Sequence, residues 1–318
     1  MRLGKCTRTI AYMILTIAII GCMTGCNSKA AGTKEVVEVS VKENNSEANR
    51  SNEPECLVPV SAGDIVKGND DISIDVSNST EGYFYIIYNG DNDDVKMQIA
   101  CNDGITYTYI ISKGDTVIPL TQGDGTYHVI VYEGMGNNQY SALYADDIDV
   151  AIEVEYIPYL YPNYYVNFDK DSEAVSLGKE LATGCTSDLE VIGNVYDYVI
   201  ENITYDHEEA LNVASNYVPD IDEILDTRKG ICFDYASLMA AMLRSQRIPT
   251  RLEVGYAGDA YHAWITTYIQ DIGWINGIIQ FDGADWTLMD PTFAANSDSK
   301  TLEAFLGDGN NYTTKYIY

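Results

Sequence analysis

Two hydrophobic periods divide the chain. Across residues 57–158 apolar and polar positions alternate in short runs, clearest at 82–88, 95–100 and 126–132, with strict alternation again at 147–156. Turn sequences such as Asn89-Gly90 and Gly123-Asp124-Gly125 separate them. A period of two sends successive side chains to opposite faces of a strand, and Gly, Asn and Asp suit the tight turns between strands. Six or more runs at this spacing predict an antiparallel β-sandwich of about 100 residues.

Residues 159–168, stiffened by Pro158 and Pro162, cross to a region where the period lengthens to 3.6. A helix is predicted over 171–182, ended by Gly184. A second opens on the capping box Ser187-Asp188-Leu189-Glu190 and runs to about Asn202, with Leu189, Ile192, Val195, Tyr196 and Val199 on one face. Asp220, with Glu223 three residues on, opens a short helix that Lys229-Gly230 ends. From Cys232 to Gln246 the residues Tyr235, Leu238, Met239 and Met242 form another core-facing stripe. Strand patterns follow at 249–256, 261–269 and 286–289, with turns at 258–260 and 282–285. Helices followed by strands predict an α+β C-terminal domain at 159–318 behind the β-sandwich domain at 57–158.

The first 26 residues belong to neither domain. Arg2, Lys5 and Arg8 precede an apolar stretch from Thr9 to Ile20, and small residues then meet a cysteine, the order of a secretory signal. Met23-Thr24-Gly25-Cys26 also looks like a bacterial lipobox, with Cys26 as the lipidated residue; Cys22 is a second candidate, and an ordinary cleaved signal the alternative. Residues 27–56 are polar and without aromatics, and are expected to be a disordered tether. The expected location is therefore extracytoplasmic, anchored to a bacterial membrane by lipid.

With 48 acidic against 19 basic side chains, the formal net charge is −29, more negative still once Arg2, Lys5 and Arg8 are removed. Such a chain is repelled by nucleic acid and by anionic lipid surfaces, and favours neutral or basic substrates.

The chemistry lies between Gly230 and Thr292. Cys232, His262 and Asp290 follow one another 30 and then 28 residues apart. Cys232 is predicted in the first turn of a helix, where unpaired N–H groups and the helix dipole favour a thiolate. His262 lies on a predicted strand, sharing a face with Trp264, which can wall the imidazole and is a candidate oxyanion or substrate contact. Asp290 ends the next strand, before Pro291. If those two strands are neighbours, Asp290 can accept a hydrogen bond from His262 and leave the other ring nitrogen facing the sulfur. Order and residue types are those of a Cys-His-Asp nucleophilic site.

The remaining features carry less. His128 sits in a strand, and His207 in a polar loop with Asp206, Glu208 and Glu209. Asp91, Asp93 and Asp94 read as a solvated acidic turn without the spacing of a calcium loop. No Cys-x-x-Cys and no Gly-rich phosphate loop occurs, so no metal and no cofactor is expected. Cys56, Cys101 and Cys185 permit one disulfide, with its pairing open. The strand tyrosines read as packing, with a sugar-stacking surface as the alternative.

Four pieces in order, Gly230-Ile231-Cys232 with Asp234-Tyr235-Ala236 behind it, Ile248-Pro249-Thr250-Arg251, His262-Ala263-Trp264, and Trp286 leading to Asp290-Pro291-Thr292, resemble the transglutaminase-like superfamily of papain-type cysteine enzymes over roughly 187–294. The resemblance implies Cys232 as nucleophile, His262 as general base and acid, and Asp290 as the residue orienting His262. It also implies Tyr205 as an aromatic near the site, helping to hold an oxyanion beside the Cys232 N–H. Arg247 departs from the glycine that many members have before Ile-Pro. Animal-type calcium-binding insertions are not evident, which argues against calcium activation. The implied activity is acyl transfer from a peptide or protein amide through a thioester: a peptidase or amidase with water as acceptor, a crosslinking transamidase with a lysine amine. A non-catalytic binding or assembly protein on the same scaffold is the alternative from another class.

Overall fold

Alternating burial builds the first half of the chain into two antiparallel sheets of four strands each. The strands are β1 (Val66–Gly68), β2 (Ile72–Asp75), β3 (Tyr83–Tyr88), β4 (Val95–Cys101), β5 (Tyr107–Ile110), β6 (Gly114–Pro119), β7 (Gly125–Gly136) and β8 (Gln139–Val150). One sheet has the order β1-β2-β3-β6 and the other β5-β4-β7-β8. In β4, Val95, Met97, Ile99 and Cys101 are buried while the residues between them are half-exposed. The inward residues of both sheets share one core, as in a sandwich. The strand expected at 147–156 begins earlier, at Gln139, and ends at Val150. Val150 pairs with Gly125, the first residue of β7, so no ladder exists on which to continue. Ile152, Val154 and Tyr156 keep an alternating, half-buried pattern without the sheet.

The computed structural model describes residues 50–270, 273–276, 278–281, 286–289 and 312–318. Cys26, Cys22 and most of the expected tether lie outside these. Residues 50–56, expected in the tether, are instead laid against the helices that follow. Arg50 donates to the Asp188 carboxylate at 2.7 Å and to the Gln246 carbonyl at 2.6 Å, and the Glu55 N–H to the Ser245 carbonyl at 2.8 Å. Polar composition suggested a solvated segment, but these groups find specific partners at helix ends.

The helical part comprises α1 (Glu173–Leu181), α2 (Asp188–Asn202), the two-residue strand β9 (Thr204–Tyr205), α3 (His207–Asn212), α4 (Ile221–Thr227), the two-residue strand β10 (Lys229–Gly230) and α5 (Cys232–Ser245). Ser187, Asp206 and Asp220 cap α2, α3 and α4 by accepting main-chain N–H bonds of the first turn. Helix α3 replaces the polar loop expected around His207. Helix α5 is the centre of the fold: Tyr235, Leu238, Met239 and Met242 have no exposed surface, as expected, but so do Ser237, Ala240 and Ala241. Gly178 lets α1 approach α5 closely, since a Cβ there would sit 3.2 Å from the Met242 carbonyl oxygen. A helix buried on nearly every side belongs in a core.

Helix α5 turns into a further antiparallel sheet through Arg247, which holds a left-handed φ of 64°. A glycine would take this conformation without steric cost, which explains the residue type the resemblance expects there. The Arg247 guanidinium is tied to the Ser51 and Glu53 carbonyls, each at 2.6 Å. The strands are β11 (Thr250–Ala257), β12 (Ala260–Ile269), β13 (Gly273–Asn276), β14 (Ile278–Phe281), β15 (Trp286–Met289) and β16 (Tyr312–Ile317). Their order is β13-β12-β11-β16, with β14-β15 a separate pair. Gly258, at φ 60°, supplies the positive φ that a two-residue hairpin needs at its first central position. Arg251 packs its guanidinium over the Trp274 ring at 3.6 Å.

Arg244, in the last turn of α5, has no exposed surface. It donates to the main-chain oxygens of Thr250 at 2.9 Å, Tyr161 at 2.7 Å and Tyr318 at 2.9 Å, joining helix, crossing segment and last described strand. Burial lowers its pKa to about 9. The sandwich joins the same assembly: the Tyr107 hydroxyl accepts the Ile317 N–H at 3.0 Å. Cys56, Cys101, Cys185 and Cys232 are all free, so the disulfide they would permit is not formed. Among the described residues no helix is long and apolar enough to cross a membrane.

Candidate active site

Three short pieces of backbone bring the site together. Cys232 is the first residue of α5, half-buried, and only Ile231 separates it from β10. Strand β10 pairs in parallel with β9, with Gly230 opposite Tyr205, and this sets the Tyr205 side chain beside the turn that carries the thiol. On β12, His262 is 6% exposed and opposes Gly255 of β11. A Cβ at Gly255 would meet the Thr313 carbonyl oxygen at 2.1 Å, so the absent side chain lets β16 close against the strand beside the imidazole. Cys232, His262 and Tyr205 all line one cleft of about 490 Å³.

Trp264 has a different place from the one expected of a substrate contact. It is 4% exposed and is not among the residues lining the cleft. Its ring lies nearly parallel to that of His262, with centroids 6.4 Å apart and planes at 29°, and packs edge-on against Tyr312. It backs the imidazole, as the period of the strand implied.

Asp290 lies outside the described residues. The strand leading to it, β15, pairs with β14, whereas the partners of β12 are β11 and β13. Direct pairing of the strands of His262 and Asp290, the condition for opposing the two side chains, is therefore not what the ladders provide.

Sequence reasoning missed Asp234. It is 1% exposed, two residues after the thiol; its carboxylate accepts the Ile231 N–H at 2.7 Å and the Tyr217 hydroxyl at 2.8 Å. The first bond is half of a capping box whose N-cap position is held by Ile231, and an apolar N-cap hides the motif. Burial pushes the Asp234 pKa up to about 6; the neighbouring Glu209 and Glu223 charges add to the rise, against the lowering effect of its two hydrogen bonds. Burial and the Asp234 charge raise the Tyr217 phenol in turn. Gly230 leaves room for this arrangement, since a Cβ there would sit 2.7 Å from that of Asp234.

The arrangement holds a thiol at a helix N-terminus, an imidazole and a phenol around one cavity, the components of nucleophilic acyl transfer. By its position, the Cys232 N–H is one of the first-turn donors without an acceptor inside the helix. Among the described residues no group of three His, Cys, Asp or Glu side chains could hold a metal ion. Asp91 of the acidic turn is paired with Lys113 at 2.6 Å, and Asp94 accepts the Tyr140 hydroxyl at 2.9 Å.

The Bacillus subtilis protein YebA is 27% identical over 101 residues, which are 26% of this chain and only 13% of that protein. Among solved structures, the periplasmic domain of TgpA from Pseudomonas aeruginosa, bound to ethylmercury, is 17% identical with a TM-score of 0.34, over 67% of this chain and 73% of that one. Red sea bream transglutaminase is 13% identical with a TM-score of 0.28, over 68% of this chain and 49% of that one. The model of the family described as the Transglutaminase-like superfamily matches residues 175–277, starting before the stretch that carried the resemblance and stopping short of Asp290. Residues 175–277 of this chain are a transglutaminase-like domain.

Proposed function

We propose that this chain is a cysteine acyl-transfer enzyme acting on peptide or protein amides, with hydrolysis as its main outcome. The observation that carries the reading is the shared cleft: a half-buried thiol on the first residue of α5 and a buried imidazole on β12 face one cavity. In the first step the Cys232 sulfur bonds to the amide carbon while His262 takes the thiol proton. The carbonyl electron pair moves to oxygen, where the Cys232 N–H and the Tyr205 side chain stabilise it. The C–N bond then breaks, His262 gives its proton to the leaving amine, and a thioester remains. Water attacks the thioester with His262 as base, the C–S bond breaks, and the sulfur regains its proton. Asp290 orients the imidazole in this scheme. The N-terminal segment, with Cys26 as lipid attachment point, holds the enzyme at the outer side of a membrane.

A thiol-directed affinity probe tests the reading. Folded protein should label at Cys232 faster than denatured protein, and more slowly after His262→Ala. Equal labelling of folded and denatured protein would favour a scaffold without turnover. Incubation of a glutamine peptide with excess primary amine, read by mass spectrometry, separates the two acceptors: acid product supports hydrolysis, an amine adduct transamidation.

A further inference from the structure

We infer that the cleft beside Cys232 is a subsite for an aromatic or bulky apolar side chain of a neutral or basic peptide, an inference that rests on the Cys232–His262 reading above. Beyond the thiol and imidazole, the described residues lining the cavity include no Asp, Glu, Lys, Arg, Asn or Gln. Its walls are rings: Phe233, next to the thiol, packs on Tyr165 with centroids 5.3 Å apart, Tyr165 on Tyr318 at 4.4 Å, and Tyr318 on Tyr316 at 6.2 Å and 21°. Tyr261, immediately before His262, stands at the rim with 57% of its surface exposed, edge-on to Tyr256.

Each ring is held by the next, so the wall is organised before a ligand arrives and little ordering cost remains for binding. A volume of about 490 Å³ holds a large side chain with adjoining main chain. The described lining favours a ring over more polar occupants. A saccharide would find, among the described lining residues, only the hydroxyls of the tyrosines, Thr108 and Ser215 as partners, and no carboxylate or carboxamide. A glutamine side chain brings two donors and an acceptor to the same surface. Outside the aromatic contact, charge selects the rest of the peptide: α3, which contributes Ala210 to the cleft, also carries Glu208 and Glu209, on a chain of net charge −29.

The test uses the full chain with Cys232→Ala, and Cys232→Ser as a check on folding, so that binding is read without turnover. Fluorescein-labelled peptides of one basic framework, with Phe, Gln or Ala at the variable position, are titrated by anisotropy beside a labelled chitin oligosaccharide. The Phe peptide should bind at least about tenfold tighter than the Ala peptide. Adding Tyr261→Ala should bring that ratio to within about threefold, without loss of the thermal transition. Equal affinities, preference for Gln, preference for the saccharide, or a Phe preference untouched by Tyr261→Ala would each overturn the inference. Turnover by the unmodified chain is scored separately. Phe-selective binding without turnover keeps the subsite and removes the catalytic reading, whereas turnover with no Phe preference does the reverse.

Discussion

Replacing Asp234 by Asn removes a buried charge next to the thiol while keeping its shape. The carboxamide oxygen can still accept the Ile231 N–H, and the amide nitrogen can donate to the Tyr217 oxygen once that hydroxyl rotates. Burial raises the Asp234 pKa from an ordinary 3.8 to about 6 in the folded chain. A carboxyl raised on folding binds its proton more tightly in the native state, so its contribution is fully present below about pH 3.9 and is lost as pH rises through 6. At about 1.4 kcal/mol per unit, the ionised group costs the fold about 3 kcal/mol at neutral pH. Urea unfolding of wild type and Asp234→Asn at several values between pH 4 and 8 measures this as a difference, which cancels the other carboxylates. The variant should match wild type near pH 4, gain steadily to pH 6, and stay roughly 2–3 kcal/mol more stable above it. The Cys232 probe should label the variant several-fold more slowly, because a neutral acceptor holds the Ile231 N–H less tightly than a carboxylate. A gap that does not change with pH, or a variant less stable at pH 8, would refute the account of Asp234 as a strained, charged cap.

Three further substitutions probe the frame. Gly230→Ala drives a methyl into the Asp234 side chain, and should cost about 1–3 kcal/mol in urea unfolding and slow Cys232 labelling. Arg244→Met leaves the Thr250, Tyr161 and Tyr318 oxygens without their common donor; a loss of at least about 3 kcal/mol is expected, with little rescue by Arg244→Lys, whose single ammonium cannot span the three, and a drop under 1 kcal/mol would contradict it. Arg247→Gly relieves a left-handed residue, worth roughly 1 kcal/mol, and gives up two bonds to residues 51 and 53 of about the same value. Its melting curve should hardly move while limited proteolysis cuts residues 50–56 sooner, and unchanged cleavage there would count against the docking.

Periodicity carried far where a signal is local. The position of Cys232 on the first turn of α5, the hairpin bearing His262 and the caps at Ser187 and Asp220 all follow from residues within a few places of one another. What escaped depends on partners far along the chain. Ser237, Ala240 and Ala241 look neutral as a string and are core because distant stretches enclose α5, the Tyr165 carbonyl accepting the Ser237 hydroxyl at 2.7 Å among them. Strand β8 is set by the start of β7 rather than by its own alternation. Arg50, within the expected tether, and Arg247 find their partners only where helix ends and a polar segment meet them. Helix α3 is six residues long, too short for its pattern to rise above a loop. The tyrosines of the cleft come from five separate stretches, and nothing near Tyr165 points to Tyr318.

The walls of the cleft are drawn from Thr108 of the sandwich as well as from Tyr316 and Tyr318, and the contact of Ile317 with Tyr107 closes a loop of 210 residues. No contiguous fragment that stops before the final strand owns both sides of the cavity. The cleft therefore forms only with the finished tertiary structure, after long-range closure that is intrinsically slow. Until that closure the chain carries its thiol as an ordinary side chain, without a wall of rings beside it.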